Sequence, residues 1–320
     1  MHASPAPRSP EWIVAQRPPR HHVDPFLPHA FLSEQERQPD HSMATVATVF
    51  LTNRECPFRC LMCDLWKNTL TEPVPPGALP AQVDFALSRL PGPPPRVIKL
   101  YNSGSFFDPG AVPISDYPAL ADRAARFSRV IVECHPAFVG GRALEFRDLL
   151  RARNPSAHLE VAIGLETVHP DVLPRLQKRM TLDQFQVAAR VLREHEIDLR
   201  VFVLVKPPYL DDLEAIEWAG RSIDFAFDCG ATAVSLIPTR LGNGALEALV
   251  EAGEFSPPRL STLEAALEFG IGLGRGRVFA DLWDLEKFST CGNCFPARKE
   301  RLEKMNLQQI IPPRARCHCA

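Results

Sequence analysis

The sequence predicts an α/β fold whose parallel sheet curls into a partial or near-complete (β/α) barrel of the TIM type, followed by a small C-terminal extension. Three observations predict it. Short β-branched runs alternate with helical patterns from residue 44 to residue 282, a rhythm that builds parallel sheets with right-handed crossovers. Unusual polar residues fall at the C-terminal ends of successive runs, the end of a barrel that carries chemistry. Cysteines crowd the last stretch in two close pairs, Cys291 with Cys294 and Cys317 with Cys319.

Strands are expected at 44–51, 96–101, 129–134, 158–165, 198–205, 233–237 and 277–282. Helices are expected between them at about 80–90, 117–127, 139–153, 170–177, 181–195, 211–228, 243–252 and 261–273. The first helix rests on the apolar stripe Val83, Phe85, Ala86, Leu87 and Leu90. The prolines between 91 and 95 stop it. Thr181 reads as the N-cap of the helix that follows it. Residues 1–42 are rich in Pro, His and Arg without a hydrophobic period and read as an arm, largely disordered or draped on the surface, with Trp12-Ile13-Val14 able to dock on the body. Residues 43–284 form the barrel, and 285–320 a Cys-rich extension around a basic helix at about 296–306.

At 320 residues and 45% hydrophobic content the chain has the size and composition of one large α/β domain with short extensions. No apolar run approaches the ~20 residues that span a bilayer, and no signal-peptide core is visible, so the expectation is a cytoplasmic protein without a membrane partner. In that reducing compartment nine cysteines suggest metal rather than disulfides. The net charge of −2 gives no global basic field for nucleic acid. One local concentration, Arg298, Lys299, Arg301, Lys304, Arg314 and Arg316 against Glu300 and Glu303, reads either as a solvated helix face or as a phosphate-contacting patch.

The rim begins with the loop after the first strand, where Cys56, Cys60 and Cys63 stand at C-x3-C-x2-C. A closed zinc site wants four ligands, and a [4Fe–4S] cluster wants one per iron. Three local cysteines without a nearby histidine suggest a cluster with one iron open to a substrate; incidental or zinc-binding thiols are the bland alternative. Further rim segments are Asn102-Ser103-Gly104-Ser105, Glu133-Cys134-His135, Gly164-Leu165-Glu166-Thr167, Lys206-Pro207-Pro208, Pro238-Thr239-Arg240 and Asp281-Leu282-Trp283-Asp284. Glu133 and His135 are candidates for substrate contact or proton transfer, with a structural histidine the plainer reading. Lys206 is either held at the rim or exposed to solvent. Cys134 and Cys229 read as small buried fillers.

The cysteine motif resembles the signature of the radical S-adenosylmethionine (SAM) enzymes. That resemblance implies that Cys56, Cys60 and Cys63 hold a [4Fe–4S] cluster and that the open iron chelates SAM, whose cleavage gives a 5′-deoxyadenosyl radical. Met62 stands where the family usually has an aromatic residue near the adenine. The segment Asn102, Ser103, Gly104 and Ser105 lies where the family carries a small-residue motif, often Gly-Gly-Glu, that meets the SAM amino group. Glu166 resembles a carboxylate facing SAM in the elongator and methylthiotransferase branches. Arg179 resembles a basic residue that pairs with the SAM carboxylate; with Lys178 it could equally be a solvent charge.

Cys291, Cys294, Cys317 and Cys319 resemble a four-thiolate zinc site, and an auxiliary iron–sulfur cluster is equally allowed by their number. His318 is a further possible ligand. The stretches 51–60, 101–108 and 164–167 look like the radical SAM subunit of archaeosine synthase and its bacterial relatives, which would imply chemistry on a 7-deazaguanine-type base in tRNA, or on a nucleoside. A reductant such as flavodoxin or ferredoxin is then the expected partner. Two other classes stand beside the enzyme: a non-enzymatic iron–sulfur carrier or sensor, and an RNA-binding zinc module.

Overall fold

The structure is a computed structural model that describes residues 7–317. Eight strands form one sheet in sequence order: β1 (Ala30–Arg37), β2 (Met43–Leu51), β3 (Val97–Asn102), β4 (Arg129–Cys134), β5 (His158–Glu166), β6 (Asp198–Val205), β7 (Ala233–Pro238) and β8 (Arg277–Ala280). From β2 to β8 every neighbouring pair is parallel. Between them run α2 (Ala78–Leu87), α3 (Tyr117–Ala124), α4 (Gly141–Arg153), α5 (Val172–Arg175), α6 (Leu182–Glu194), α7 (Asp212–Asp228), α8 (Ala245–Glu251) and α9 (Leu260–Gly272). The expected alternation is therefore present. One apolar core lies between the outer sheet face and these helices, with Phe106, Phe146, Phe185, Leu100 and Val201 among its fully buried members.

The N-terminal segment corrects the sequence reading. Residues 30–37 are not a draped arm but β1, paired antiparallel with β2 along its whole length. They lack an apolar signature because the face turned into the barrel carries Glu34 and Glu36. These two enter a buried ion network with Lys99, Arg129, Glu160, Asp198, Arg200 and Arg277. The network holds four cations (Lys99, Arg129, Arg200, Arg277) and four carboxylates (Glu34, Glu36, Glu160, Asp198), so it fills the N-terminal end of the barrel without net charge. Earlier in the same segment, α1 (Pro10–Ala15) docks as Trp12-Ile13-Val14 suggested. Ile13 is buried with Leu61, Leu246 and Phe255, and Arg17 and Arg20 both pair with Glu55.

The strand order shows no pairing of β8 back to β1. The gap is covered by α10 (Phe295–Gln308), which packs against both edge strands. Two side-chain amides imitate a ninth strand. Asn306 accepts from Ala280 N–H and donates to Ala280 O, both at 2.8 Å. Gln309 accepts from Val278 N–H at 2.7 Å and donates to its carbonyl at 2.9 Å. An edge that would otherwise expose its backbone groups is thereby satisfied.

Candidate active site at the barrel mouth

Strand β2 ends at Leu51, and the chain passes through buried Thr52 and Asn53 into the cysteine loop. Cys56, Cys60 and Cys63 are half-buried there. The loop is shaped by bonds to its backbone. Cys63 N–H donates to Cys60 O at 3.2 Å, and Leu61 N–H donates to Leu176 O at 2.9 Å. The Asn243 amide, from far along the chain, donates to Leu61 O at 2.8 Å and Cys63 O at 3.3 Å. Trp66 Nε1 donates to Cys63 O at 3.1 Å. Burial pushes the Cys60 thiol up to about 12 and raises Cys56 and Cys63 as well. Thiolates form here only when a positive centre such as a metal compensates them.

The rim after β3 packs on this loop. Gly104 has φ +147°, and a Cβ on it would lie 2.8 Å from Cys56 Cβ, so a side chain there would displace the loop. Ser103 N–H donates to Asn53 Oδ1 at 3.3 Å, and Ser105 Oγ accepts from His135 N–H at 2.7 Å. Asn102 is 3% exposed. Both polar atoms of its side chain are buried without a hydrogen-bond partner among the described residues, an arrangement that folded proteins seldom leave unanswered.

At the end of β5 the register shifts between Gly164 and Glu166, and Glu166 takes φ +68°. This bulge re-aims the Glu166 carboxylate. It is buried and ion-paired with Lys178. A Cβ on Gly164 would collide with both groups. Burial alone would lower Lys178, but Glu166 and then Cys60 raise it, so the ammonium stays charged. Arg179, the candidate that the family resemblance implies, is exposed, while its neighbour Lys178 is buried and acts electrostatically on Cys60 and Cys56. The chain takes φ +54° at Arg179, which turns successive side chains apart.

His135 has the structural role. Its ring stacks on Phe58 at 3.8 Å, Nδ1 accepts from Ala137 N–H at 3.2 Å, and Nε2 is therefore the donor to Lys178 O at 2.9 Å. Burial and the Lys178 charge push it down to about 4. Glu133 is partly exposed inside the barrel, and burial raises its carboxyl to about 8 against the opposing pull of the Asn102 N–H and Lys178. Lys206, just past the C-terminal end of β6, is buried and held on Asp212 and Ser256, both at 2.9 Å, rather than exposed to solvent. Cys134 is a buried filler whose S–H reaches His135 O at 3.1 Å; Cys229 is only half-buried. Met62 is half-buried between two apolar clusters beside Tyr209. Asn53, Lys178 and Asn243 were not legible as site residues, because nothing in their local sequence marks them.

The tail brings Cys291, Cys294 and Cys317 together, with their sulfurs all within 4.8 Å of one another. Cys291 Sγ and Cys317 Sγ are 3.8 Å apart. Cys319 and His318 lie outside the described residues. The basic stretch is largely neutralised: Arg298 pairs with Glu264, Arg301 and Arg314 with Glu268, and Lys304 with Glu300. It is a paired helix face rather than a free phosphate patch.

A parallel, incompletely closed βα barrel with a C-x3-C-x2-C loop leaving its first parallel strand is the arrangement expected of the radical SAM superfamily of enzymes, and the comparisons with known proteins support that superfamily. No family model matches the chain. It is 29% identical over 207 residues to archaeosine synthase subunit beta of Methanosarcina acetivorans, covering 63% of this chain and 58% of that one. It is 30% identical over 172 residues to the subunit of the same name from Thermococcus kodakarensis, covering 52% of each. The chain thus spans little more than half the length of either subunit. An uncharacterised protein of Methanocaldococcus jannaschii aligns over 90% of this chain and 83% of its own length at 22% identity. Among solved structures, methylornithine synthase shares the fold with a TM-score of 0.53 over 84% of this chain and 73% of that one, at 13% identity. The Elp3 protein of Methanocaldococcus infernus does so with 0.51 over 71% and 58%, at 14% identity. No helix among the described residues is long and apolar enough to cross a membrane.

Proposed function

We propose that this chain is a radical SAM enzyme in which Cys56, Cys60 and Cys63 hold a [4Fe–4S] cluster at the barrel mouth. The observation that carries the reading is the loop itself: three cysteines at the end of the first parallel strand, with Gly104 packed so closely on Cys56 that only a bare backbone fits. The surroundings fit the cofactors. Three thiol donors suit a cluster that keeps one iron for a small molecule. The orphaned amide of Asn102 offers a donor and an acceptor for the amino-acid end of SAM. Lys178 is the charge available to its carboxylate, in place of Arg179, and Glu166 the acceptor for ribose hydroxyls or the counter-charge to the sulfonium. Met62, with Tyr209 beside it, offers an apolar surface to the adenine. The bound cluster would supply the electron that cleaves SAM and so generates the radical that takes hydrogen from a substrate; the chain itself positions and shields the reactants.

The substrate we favour is a 7-deazaguanine-type base, in tRNA or as a nucleoside, on the strength of the two archaeosine synthase relatives. A small reductant of the flavodoxin or ferredoxin kind is the proposed electron donor, approaching from the outer side of the cysteine loop. A cavity of about 400 Å³ opens there, lined by Arg20, Arg54 and Arg59 with Glu55 and Asp108; Arg20 and Arg59 are paired with Glu55. For the tail we propose zinc. Four sulfurs about 2.3 Å from one tetrahedral ion lie about 3.8 Å apart, the spacing of Cys291 and Cys317. Thiolates on separate irons of a cluster stand wider apart. Cys319 is the proposed fourth ligand.

The test is to reconstitute the protein with iron and sulfide without oxygen, add SAM and dithionite, and measure 5′-deoxyadenosine. The expected result is its formation together with methionine. A protein that carries the cluster yet yields no 5′-deoxyadenosine is an electron carrier or sensor, not this enzyme.

A further inference from the structure

Inside the barrel, above the ion network, the side chains change character. Tyr101 on β3 and Phe202 on β6 bring their rings to 6.1 Å, although their strands are not neighbours in the sheet. Both rings therefore point into the lumen. Phe50 meets Tyr101 at 6.2 Å from β2. These three residues and Glu133 sit on strands whose other positions are almost all buried, yet each is partly exposed. Each therefore keeps some surface accessible on the lumen side. Room is left on β5, where the inward positions are Ala162 and Gly164. Glu133 has no ion pair among the described residues; the nearby cation, Lys178, is engaged by Glu166. A carboxyl in an aromatic-walled lumen, met by the Asn102 N–H but by no cation of its own, has acceptor capacity left for donors brought in by a ligand.

Building on the proposed radical SAM activity, we propose that the lumen is a substrate slot for a flat nitrogen heterocycle, walled by Phe50, Tyr101 and Phe202, with Glu133 accepting two adjacent N–H groups of its edge. A carboxylate has two acceptor oxygens in one plane and matches a ring N–H beside an exocyclic amino group. Glu133 is then a specificity residue: it admits a ring carrying both donors and rejects its analogue lacking the amino group, because the analogue leaves one carboxylate oxygen buried and unanswered. The carboxyl is raised by burial in the lumen, and donors at the ring edge favour its ionised form.

The experiment is calorimetric titration of cluster-loaded protein with SAM present, using 7-deazaguanine and 7-deazahypoxanthine as probes. The second lacks only the exocyclic amino group. The wild type is expected to bind 7-deazaguanine more tightly by about ten- to a hundredfold, the range for a hydrogen bond to a charged group. Glu133→Gln should close most of that gap, and Tyr101→Leu should weaken both probes alike. A gap unchanged in Glu133→Gln, or no binding of either probe, overturns the proposal. Near-ultraviolet absorbance and circular dichroism of each variant check the cluster and fold. 5′-Deoxyadenosine formed without substrate, assayed on the same wild-type preparation, separates failure of the slot from failure of the underlying activity: SAM cleavage without ring binding sinks only the former.

Discussion

The chain carries two groups of cysteines, and they differ in how they are held. The tail group is drawn together, three sulfurs within 4.8 Å, at the start of α10. The loop group is not among the described clusters this tight, and its shape is imposed by backbone bonds from Leu176, Asn243 and Trp66. The difference teaches what each is for. A tight trio suits a single ion that staples two chain segments, here the helix that covers the open barrel edge and the terminus beyond it. A loop moulded independently of its thiols suits a larger cofactor that must present one face to a substrate.

The comparison breaks most sharply at Cys60. Cys60→Ser should abolish the visible absorbance of the cluster and all 5′-deoxyadenosine formation while leaving tail metal in place by elemental analysis. Persisting SAM cleavage would mean the wrong thiols are assigned. Cys294→Ser is the reverse case. Tail metal should be lost with the loop cluster's spectrum largely intact, and hydrogen exchange should rise along α10 and β8 as the cover loosens. Simultaneous loss of both spectra would show that the two sites are one unit. Separating metal from fold needs a third variant. Arg200→Met removes a cation that bridges Glu36 and Glu160 in the barrel base and leaves the network with a surplus carboxylate, and breaking a buried pair costs about 3–5 kcal/mol, measured by urea unfolding. Metal content per folded protein should be unchanged.

The same network sets the acid response. Burial alone would raise Glu36 and Glu160, but Arg200, with Lys99 at Glu36 and Arg277 at Glu160, overcomes it and holds both below the usual carboxylate range. A lowered carboxyl stabilises the fold above its unfolded value of about 4.3, and that stability is lost as pH falls from there through the lowered value. Unfolding free energy should therefore fall steeply below about pH 4.3 in the wild type, and less steeply in Glu160→Gln. Equal slopes would place the acid sensitivity elsewhere. The smallest effect is expected at Asn243→Ala, which removes two donors from the loop; one hydrogen bond is worth about 1 kcal/mol. Slower cluster loading with unchanged final iron content is the expected signature.

The barrel was legible because its signals are local. Apolar runs such as 198–205 and 233–237 are buried on both faces and read as strands from composition alone. The cysteine loop was legible because its spacing is contiguous. What escaped was what depends on distant partners. Strand β1 hides its role because its inward carboxylates are satisfied only by Lys99 and Arg200, remote in sequence. Lys178 and Arg179 are indistinguishable as letters; a left-handed residue decides which is buried. The basic helix looked free only because Glu264 and Glu268 stand one helix earlier.

The most direct measurement is electron paramagnetic resonance of the dithionite-reduced protein with and without SAM. A reduced cluster signal whose g-values shift on adding SAM, in wild type and in Cys294→Ser alike, is the predicted result, since only an iron free of protein ligands can take the molecule. A signal that SAM leaves unchanged would contradict it.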